Sequence, residues 1–163
     1  MGFRFLSSNP YDFIANNKEY EKLIQMGMEA LGALEECLFV LRESFNGLER
    51  YLLCIAIEDI VKVDLKKYRT HFWQCGESFR NSWPLFKEEA IYRVPEILSD
   101  VSLTEAEKIK AITKYGMLAI EPLESAQDSD LFASSLVNMI NVGSRNDVVD
   151  IALSKTQWSQ NNG

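Results

Sequence analysis

Apolar residues recur at steps of three and four along the first third of the chain, between Tyr20 and Phe45. This spacing places their side chains on one face of a helix. Gly27 weakens the pattern, and Asn46-Gly47 provides an end, because both residues tolerate the left-handed backbone conformation that closes helices. The pattern therefore predicts one long amphipathic helix over residues 20–45. Its apolar stripe consists of Leu23, Ile24, Met28, Leu31, Leu34, Leu38 and Leu41.

The next segment, from Leu48 to Val63, is apolar nearly all round and leaves little polar face. Its length and the charged residues within it favour a helix over a strand, although Ile55 and Ile57 also have high strand propensity. A helix without a polar face has to be surrounded by other elements. The segment therefore predicts a central, buried helix. The mixed segment 65–80 that follows is also predicted to be helical.

Proline and capping signals divide the second half of the chain into shorter helices. Pro84 is expected to restart a helix, because proline is pre-organised for a first helical turn, and Pro95 is expected to kink or end it. Thr104 and Glu107 form the pattern of a capping box, which begins a helix that runs to the next proline, Pro122.

Two further helices are predicted from the polar residues that precede apolar runs. Asp130 stands directly before the run that begins at Leu131, and Gly143 follows that run. Ser144 and Asp147 then form a second capping pattern, which begins the last helix. The polar tail, residues 159–163, is expected to be frayed.

These patterns predict an all-α chain, with residues 1–163 forming a single domain of about six to eight helices. Short helices joined by tight turns are typical of antiparallel helical hairpins. The hairpins could form an irregular helical bundle or a short α-solenoid. Solenoid repeats have a period of roughly 40 to 47 residues, and no matching residues recur at that period. Both arrangements stay open.

Composition fits a globular domain and gives it an acidic surface. Of the 163 residues, 47% are hydrophobic and 25% are charged, so the chain can form a core without disulfides or metals. Seventeen basic and twenty-four acidic side chains give a net charge of −7. This charge repels nucleic acid and anionic membranes, and it accelerates encounter with a basic protein. No apolar stretch is long enough for a membrane span or a signal peptide, so we expect a cytoplasmic protein.

The three cysteines suggest neither disulfides nor a metal site. Cys37, Cys54 and Cys75 are odd in number, widely spaced and set in apolar runs, which is typical of buried, reduced thiols. A structural zinc site would need close cysteine pairs, and the chain has none. We therefore expect no metal and no cofactor.

His71 is the only histidine, so any histidine-dependent chemistry would have to use it. An enzyme built on His71 would need Glu77 or Asp64 as its partner, and no nucleophile motif or phosphate-binding loop supports that hypothesis. A surface or interface histidine is the simpler interpretation. Adjacent carboxylates point in different directions on a helix and do not converge on one ion, which indicates solvated helix faces. These pairs are Glu35-Glu36, Glu58-Asp59 and Glu88-Glu89.

Basic and aromatic residues are concentrated between Lys62 and Trp73. Such a cluster could contact phosphates and stack bases. Alternatively, its basic side chains form the wet face of a helix whose Phe72 and Trp73 pack inward. The overall acidity of the chain favours the second interpretation, and we expect no nucleic-acid partner.

Acidic residues cluster where basic ones are missing. No lysine or arginine occurs from Tyr115 to Ser144, and four carboxylates surround the loop after Pro122. On one surface they would form a negative rim suited to a basic partner, with Tyr115 or Trp158 as an aromatic anchor. Otherwise they only cap helices beside a solvated loop. The four carboxylates are Glu121, Glu124, Asp128 and Asp130.

In its size, acidity, helical content and lack of catalytic motifs, the chain resembles the immunity proteins that bacteria keep against toxins of the colicin and contact-dependent growth inhibition kinds. The resemblance implies a cytoplasmic, non-enzymatic toxin inhibitor, or antitoxin, that binds a basic toxin domain of nuclease type. A helical scaffold or adaptor that holds a peptide or helix is the alternative. An enzyme that uses His71 is the third hypothesis. The oligomeric state is left open.

Overall fold

The computed structural model describes residues 9–126 and 130–154, and within these ranges the chain forms α-helices and short 3-10 turns, with no strand. The all-α prediction is confirmed. The described residues contain nine α-helices, more than the six to eight expected, because the chain breaks at two glycines described below. The helices are α1 (Tyr11–Ile14), α2 (Lys18–Gln25), α3 (Leu31–Phe39), α4 (Gly47–Val61), α5 (Gly76–Ser99), α6 (Glu105–Thr113), α7 (Ile120–Ala126), α8 (Leu131–Val142) and α9 (Arg145–Leu153).

Helix α4 lies at the centre of the fold, as its sequence predicts. A capping box between Asn46 and Glu49 begins it, and Lys62 ends it in the left-handed conformation, with a φ of 63°. Its residues Ile55, Ile57 and Val61 are fully buried, because α2, α3, α5 and α9 all pack against it. Packing from several directions on one helix makes the fold an irregular bundle, since each repeat of a solenoid contacts only its neighbours.

The helix predicted over residues 20–45 is two helices, α2 and α3, separated by a 3-10 turn over Gly27–Ala30. Gly27 has a φ of 63°, which a right-handed helix cannot contain. The prediction of one long helix is therefore wrong. A second 3-10 turn, Arg42–Ser44, follows α3 and leads into the cap of α4.

Helix α5 is longer than the sequence predicts and contains both prolines. It begins at Gly76, not at Pro84, and it continues past Pro95 to Ser99, so the predicted restart and end are wrong. A proline inside a helix costs about 3 kcal/mol. Here that cost is offset by a buried aromatic row on the inner face, where Trp83 stacks on Phe79 with ring centroids 5.5 Å apart.

The segment before α5 is mostly non-helical, contrary to the prediction for residues 65–80. After α4 the chain forms one 3-10 turn, Leu65–Lys67, and then turns back to place Trp73 in the core. Cys75 caps α5 together with Ser78 and is exposed, and Cys37 is only half-buried. The expectation that the cysteines are buried is therefore confirmed for Cys54 alone.

Helix α6 begins at the predicted capping box of Thr104 and Glu107 but ends at Thr113, earlier than expected. Gly116 follows with a φ of 51°, and a Cβ at this position would overlap the backbone carbonyl oxygens of Val61 and Lys62 at the end of α4. Pro122 was expected to close this helix. Instead it lies near the start of α7, where a missing N–H costs nothing.

The last helices begin as predicted. Asp130 caps α8, and Ser144 and Asp147 form the capping box of α9. Helix α7 packs against α8, and α6 packs against α9. No described helix combines the length and the apolar character that crossing a membrane requires.

Candidate functional site

A groove of about 920 Å³ runs between α5, α7 and the preceding 3-10 turn, and we call it the acidic groove. Its floor and walls are mainly apolar, and the carboxylates of Glu121 and Glu124 lie among its lining residues. The groove is thus an apolar depression with negative charge on one side. The apolar lining includes Met28, Ile91, Pro95, Met117, Leu118 and Ile120.

Two helices position these side chains through their regular spacing. Along α5, Lys87, Ile91 and Pro95 are four residues apart and therefore share one face. Ile91 is 64% exposed, so this apolar face is open to a partner. Along α7, the buried Leu123 fixes the helix to the core and leaves Glu121 and Glu124 exposed.

In the part of the chain that the structure describes, no cation pairs with the carboxylates of the acidic groove. Lys87 lines the groove, but its ammonium forms an ion pair with Glu35, whose carboxylate also accepts a hydrogen bond of 2.8 Å from Trp83 Nε1. Within residues 9–126 and 130–154, neither Glu121 nor Glu124 forms an ion pair. The groove therefore has a negative potential that is available to a basic ligand.

Two of the other predicted contact residues, Asp130 and Tyr115, do not line the groove. Asp130 uses its carboxylate to accept hydrogen bonds from Phe132 N and Ala133 N, as a helix cap. Tyr115 is only 2% exposed, and its ring packs on Phe86 with centroids 5.3 Å apart, so it cannot serve as an exposed anchor. The remaining two, Asp128 and Trp158, lie outside the described residues.

Sequence reasoning missed the apolar part of the groove. Part of the signal lies in α5, where Ile91 falls outside the inner face of the helix and is exposed. The register of α5 alone cannot reveal the groove, because Met28 and Met117 in its lining lie far from Ile91 in the sequence.

A second feature that the sequence did not reveal is a set of carboxylates around Arg145, one buried and two half-buried, which we call the Arg145 cluster. Arg145 Nη1 lies 2.7 Å from Asp59 Oδ1, and Nη2 lies 3.3 Å from Glu58 Oε1. Arg145 Nε donates to the carbonyl of Val63 at 2.9 Å. Asp64 Oδ2 lies 4.0 Å from Nη2. These contacts fasten the start of α9 to the end of α4.

Glu58 is the most deeply buried member of the Arg145 cluster, at 1% exposure. Its Oε2 accepts hydrogen bonds from Leu65 N at 2.8 Å and from Trp73 Nε1 at 3.2 Å. The interpretation of the adjacent carboxylates as solvated helix faces is therefore wrong for Glu58. It is also wrong for Glu35, which pairs with Lys87, and for Glu89, which pairs with His71.

The pH dependence of stability should report on Glu58. Burial raises the pKa of Glu58 to about 7 from its ordinary value of 4.5, while Arg145 opposes the shift. Because the folded protein holds this proton more tightly, the stabilisation is complete below about pH 4.5 and is lost as the pH rises through 7. Relative to Glu58→Gln, the wild type should lose about 2–3 kcal/mol of unfolding free energy between pH 5 and pH 8.

Urea unfolding of both proteins across this pH range measures that loss. Other titrating groups contribute almost equally to both proteins, so the difference between their two curves isolates residue 58. A difference that stays constant from pH 5 to pH 8 would mean that Glu58 does not change its protonation in this range.

His71 is 7% exposed and not a surface histidine, and its Nε2 lies 2.6 Å from Glu89 Oε2. The partners expected for an enzyme are engaged elsewhere. Glu77 pairs with Arg42 and Arg80, while Asp64 belongs to the Arg145 cluster.

The basic and aromatic cluster is used mainly for contacts within the protein. The ammonium of Lys66 lies 4.3 Å from the centre of the Trp73 ring, and Lys62 Nζ donates to the carbonyl of Ile140 at 2.8 Å. Trp73 packs inward as expected, but Phe72 is 49% exposed, contrary to expectation.

Comparison of the chain with protein-family models, with curated proteins and with solved structures found no match. The function is therefore inferred from the geometry and charge of the acidic groove itself. Two properties of the groove matter for that inference: its apolar surface lies open beside Ile91, and the negative charges of Glu121 and Glu124 lie beside that surface.

Proposed function

We propose that the protein is a non-enzymatic binding module that holds a basic segment of another protein in the acidic groove. The proposal rests on one observation: an open apolar groove is lined by Glu121 and Glu124, and the lysine beside them, Lys87, is already paired with Glu35. The apolar surface contributes affinity because a bound partner removes it from contact with water. Unpaired charges select the partner by its sign.

The size and shape of the groove favour a polypeptide segment. An amphipathic helix can place apolar residues against Ile91 and Met117 while lysine or arginine side chains at its edge reach Glu121 and Glu124. The net charge of −7 would add long-range attraction and speed the encounter with a basic protein.

The most specific form of the proposal is a bacterial immunity protein. A nuclease toxin must present a basic surface to its nucleic-acid substrate. An acidic protein that covers this surface would block the substrate and neutralise the toxin without any catalytic group of its own. The arrangement of negative charge around an apolar contact surface supports this proposal.

A peptide titration tests the binding module. The probe is an amphipathic helical peptide of leucine and lysine, compared with a leucine–glutamate peptide and a serine–lysine peptide of equal length. We expect only the leucine–lysine peptide to shift the NMR signals of groove residues such as Ile91, Met117 and Glu121. Equal binding of the leucine–glutamate peptide would contradict the role of charge.

Reversing the groove charges should lower the affinity for the leucine–lysine peptide by about tenfold or more. In Glu121→Lys/Glu124→Lys, two attractions become repulsions, each worth about 1 kcal/mol at a partly exposed site. The association rate should fall most at low salt, because salt screens such charges. A matched control, Glu19→Lys/Glu21→Lys, makes the same charge change at exposed positions of α2 that do not line the groove.

The immunity form needs its own measurement. The wild type and the two double variants would each be mixed with a purified nuclease toxin domain recovered from the source cell, and nuclease activity would be followed. We expect the wild type and the α2 control to abolish the activity, and the groove variant to inhibit poorly. Equal inhibition by all three proteins would show that the toxin contacts a surface other than the acidic groove.

A further inference from the structure

A second cleft, with the opposite charge, lies between α5, α6 and the end of α9 and has a volume of about 730 Å³. We call it the cationic cleft. Three basic side chains line it: Arg93 from α5, Lys110 from α6, and Lys114, which follows α6. A convergence of three cations is unexpected in a chain whose net charge is −7.

The carboxylates near the cationic cleft leave part of this charge available. Arg93 Nη1 lies 2.9 Å from Glu96 Oε2, but both side chains are exposed, and such pairs contribute little. Lys114 Nζ lies 3.7 Å from Glu89 Oε1. Within the described ranges Lys110 forms no ion pair.

One carboxylate, that of Glu107, lines the cleft itself. Its Oε1 accepts a hydrogen bond of 3.0 Å from Thr104 Oγ1 in the capping box of α6, which fixes its position at the start of that helix. Lys110 lies one turn further along the same helix face, where its charge is not cancelled by a direct contact.

The rest of the cleft is apolar or aromatic, with Ile97 and Leu103 in its lining. The ring of Tyr68 also faces the cleft, and the ammonium of Lys114 lies 4.8 Å from its centre. Burial raises the pKa of Tyr68 to about 12, so its hydroxyl keeps its proton and can donate a hydrogen bond. A ligand that fits has an acidic group and an apolar body.

We propose that the cationic cleft binds a small organic anion, with its acid group at Lys110 and Lys114 and its apolar body against Ile97 and Leu103. The volume is that of a small-molecule site. This site is separate from the acidic groove, and the proposal does not depend on the function proposed for that groove.

Three small probes test the cationic cleft by NMR titration of the full chain: 4-phenylbutyrate, phenyl phosphate and the neutral 4-phenylbutanol. We expect at least one acid to shift the amide signals of Ile97, Lys110 and Ala111, and the alcohol to bind at least fivefold more weakly. The acid that binds more tightly identifies the group as a carboxylate or a phosphoryl group.

Two variants distinguish binding at this site from nonspecific electrostatic attraction to the protein. Lys110→Gln should lower the affinity for the acid probe at least fivefold. Lys67→Gln removes the same charge from an exposed position outside the cleft and should leave that affinity unchanged. The absence of shifts with both acids at 10 mM, equal binding of the alcohol, or equal loss in both variants would overturn the proposal.

Discussion

Replacing Arg145 by methionine should lower the free energy of unfolding by about 3 kcal/mol at pH 8. The change removes the cation that pairs with Glu58 and Asp59, and it leaves the carbonyl of Val63 without its donor. Methionine preserves most of the side-chain packing, so the loss reports mainly on charge and hydrogen bonding. Urea unfolding followed by circular dichroism measures it.

The loss on Arg145→Met should be smaller at pH 5 than at pH 8. At pH 5 the buried Glu58 carries a proton and no longer needs a cation, because its pKa in the folded protein is raised to about 7. Arg42→Met is the control, since the exposed contacts of Arg42 with Glu43 and Glu77 should be worth less than about 1 kcal/mol. Equal losses in both variants would show that the Arg145 cluster is no more important than a surface ion pair.

Gly116→Ala should destabilise the fold by about 2–5 kcal/mol. A methyl group at Gly116 would overlap the carbonyl oxygen of Val61 and lie 2.6 Å from that of Lys62, and neither backbone oxygen can move without shifting the end of α4. The φ of 51° adds the cost of a left-handed conformation for alanine. Thermal and urea unfolding both measure the effect.

Gly32→Ala is the matched control for this substitution. Gly32 lies inside the right-handed helix α3, and a methyl group there would meet no atom within 4 Å. It should stabilise the protein by about 0.5–1 kcal/mol, because alanine loses less backbone entropy in a helix. If Gly116→Ala were equally stabilising, the contact between α4 and the 3-10 turn at Gly116–Ala119 would have to be looser than it is here.

Local signals predicted the parts of the fold that are decided locally. The caps at Thr104, Asp130 and Ser144 satisfy backbone amides within a few residues of themselves, so their helices begin where the sequence indicates. The central position of α4 followed from its lack of a polar face. In these cases the residues that decide the structure lie close together in the sequence.

The errors arose where distant packing outweighed local preference. Pro84 lies inside α5 because the buried rings of Trp83 before it and Phe86 after it stack on one another and hold the helix together. The left-handed Gly116 depends on the end of α4, which is far away in sequence. Neither partner can be identified from the residues next to the break.

The candidate site divides in the same way. Glu121 and Glu124 were predicted from a local deficit of basic residues, and they do line one groove. The apolar surface beside them comes from three separate parts of the chain. Glu58 looked like a solvated residue because its cation, Arg145, is 87 positions away.

Helix α5 contributes to both clefts: Lys87, Ile91 and Pro95 to the acidic groove, and Arg93 and Ile97 to the cationic cleft. If filling one cleft shifts this helix, thermodynamic reciprocity requires that each ligand change the affinity of the other by the same factor. The concentration of the proposed small anion would then set how tightly the proposed basic partner is held, and that partner would in turn retain the anion. If α5 does not move, the two sites fill independently.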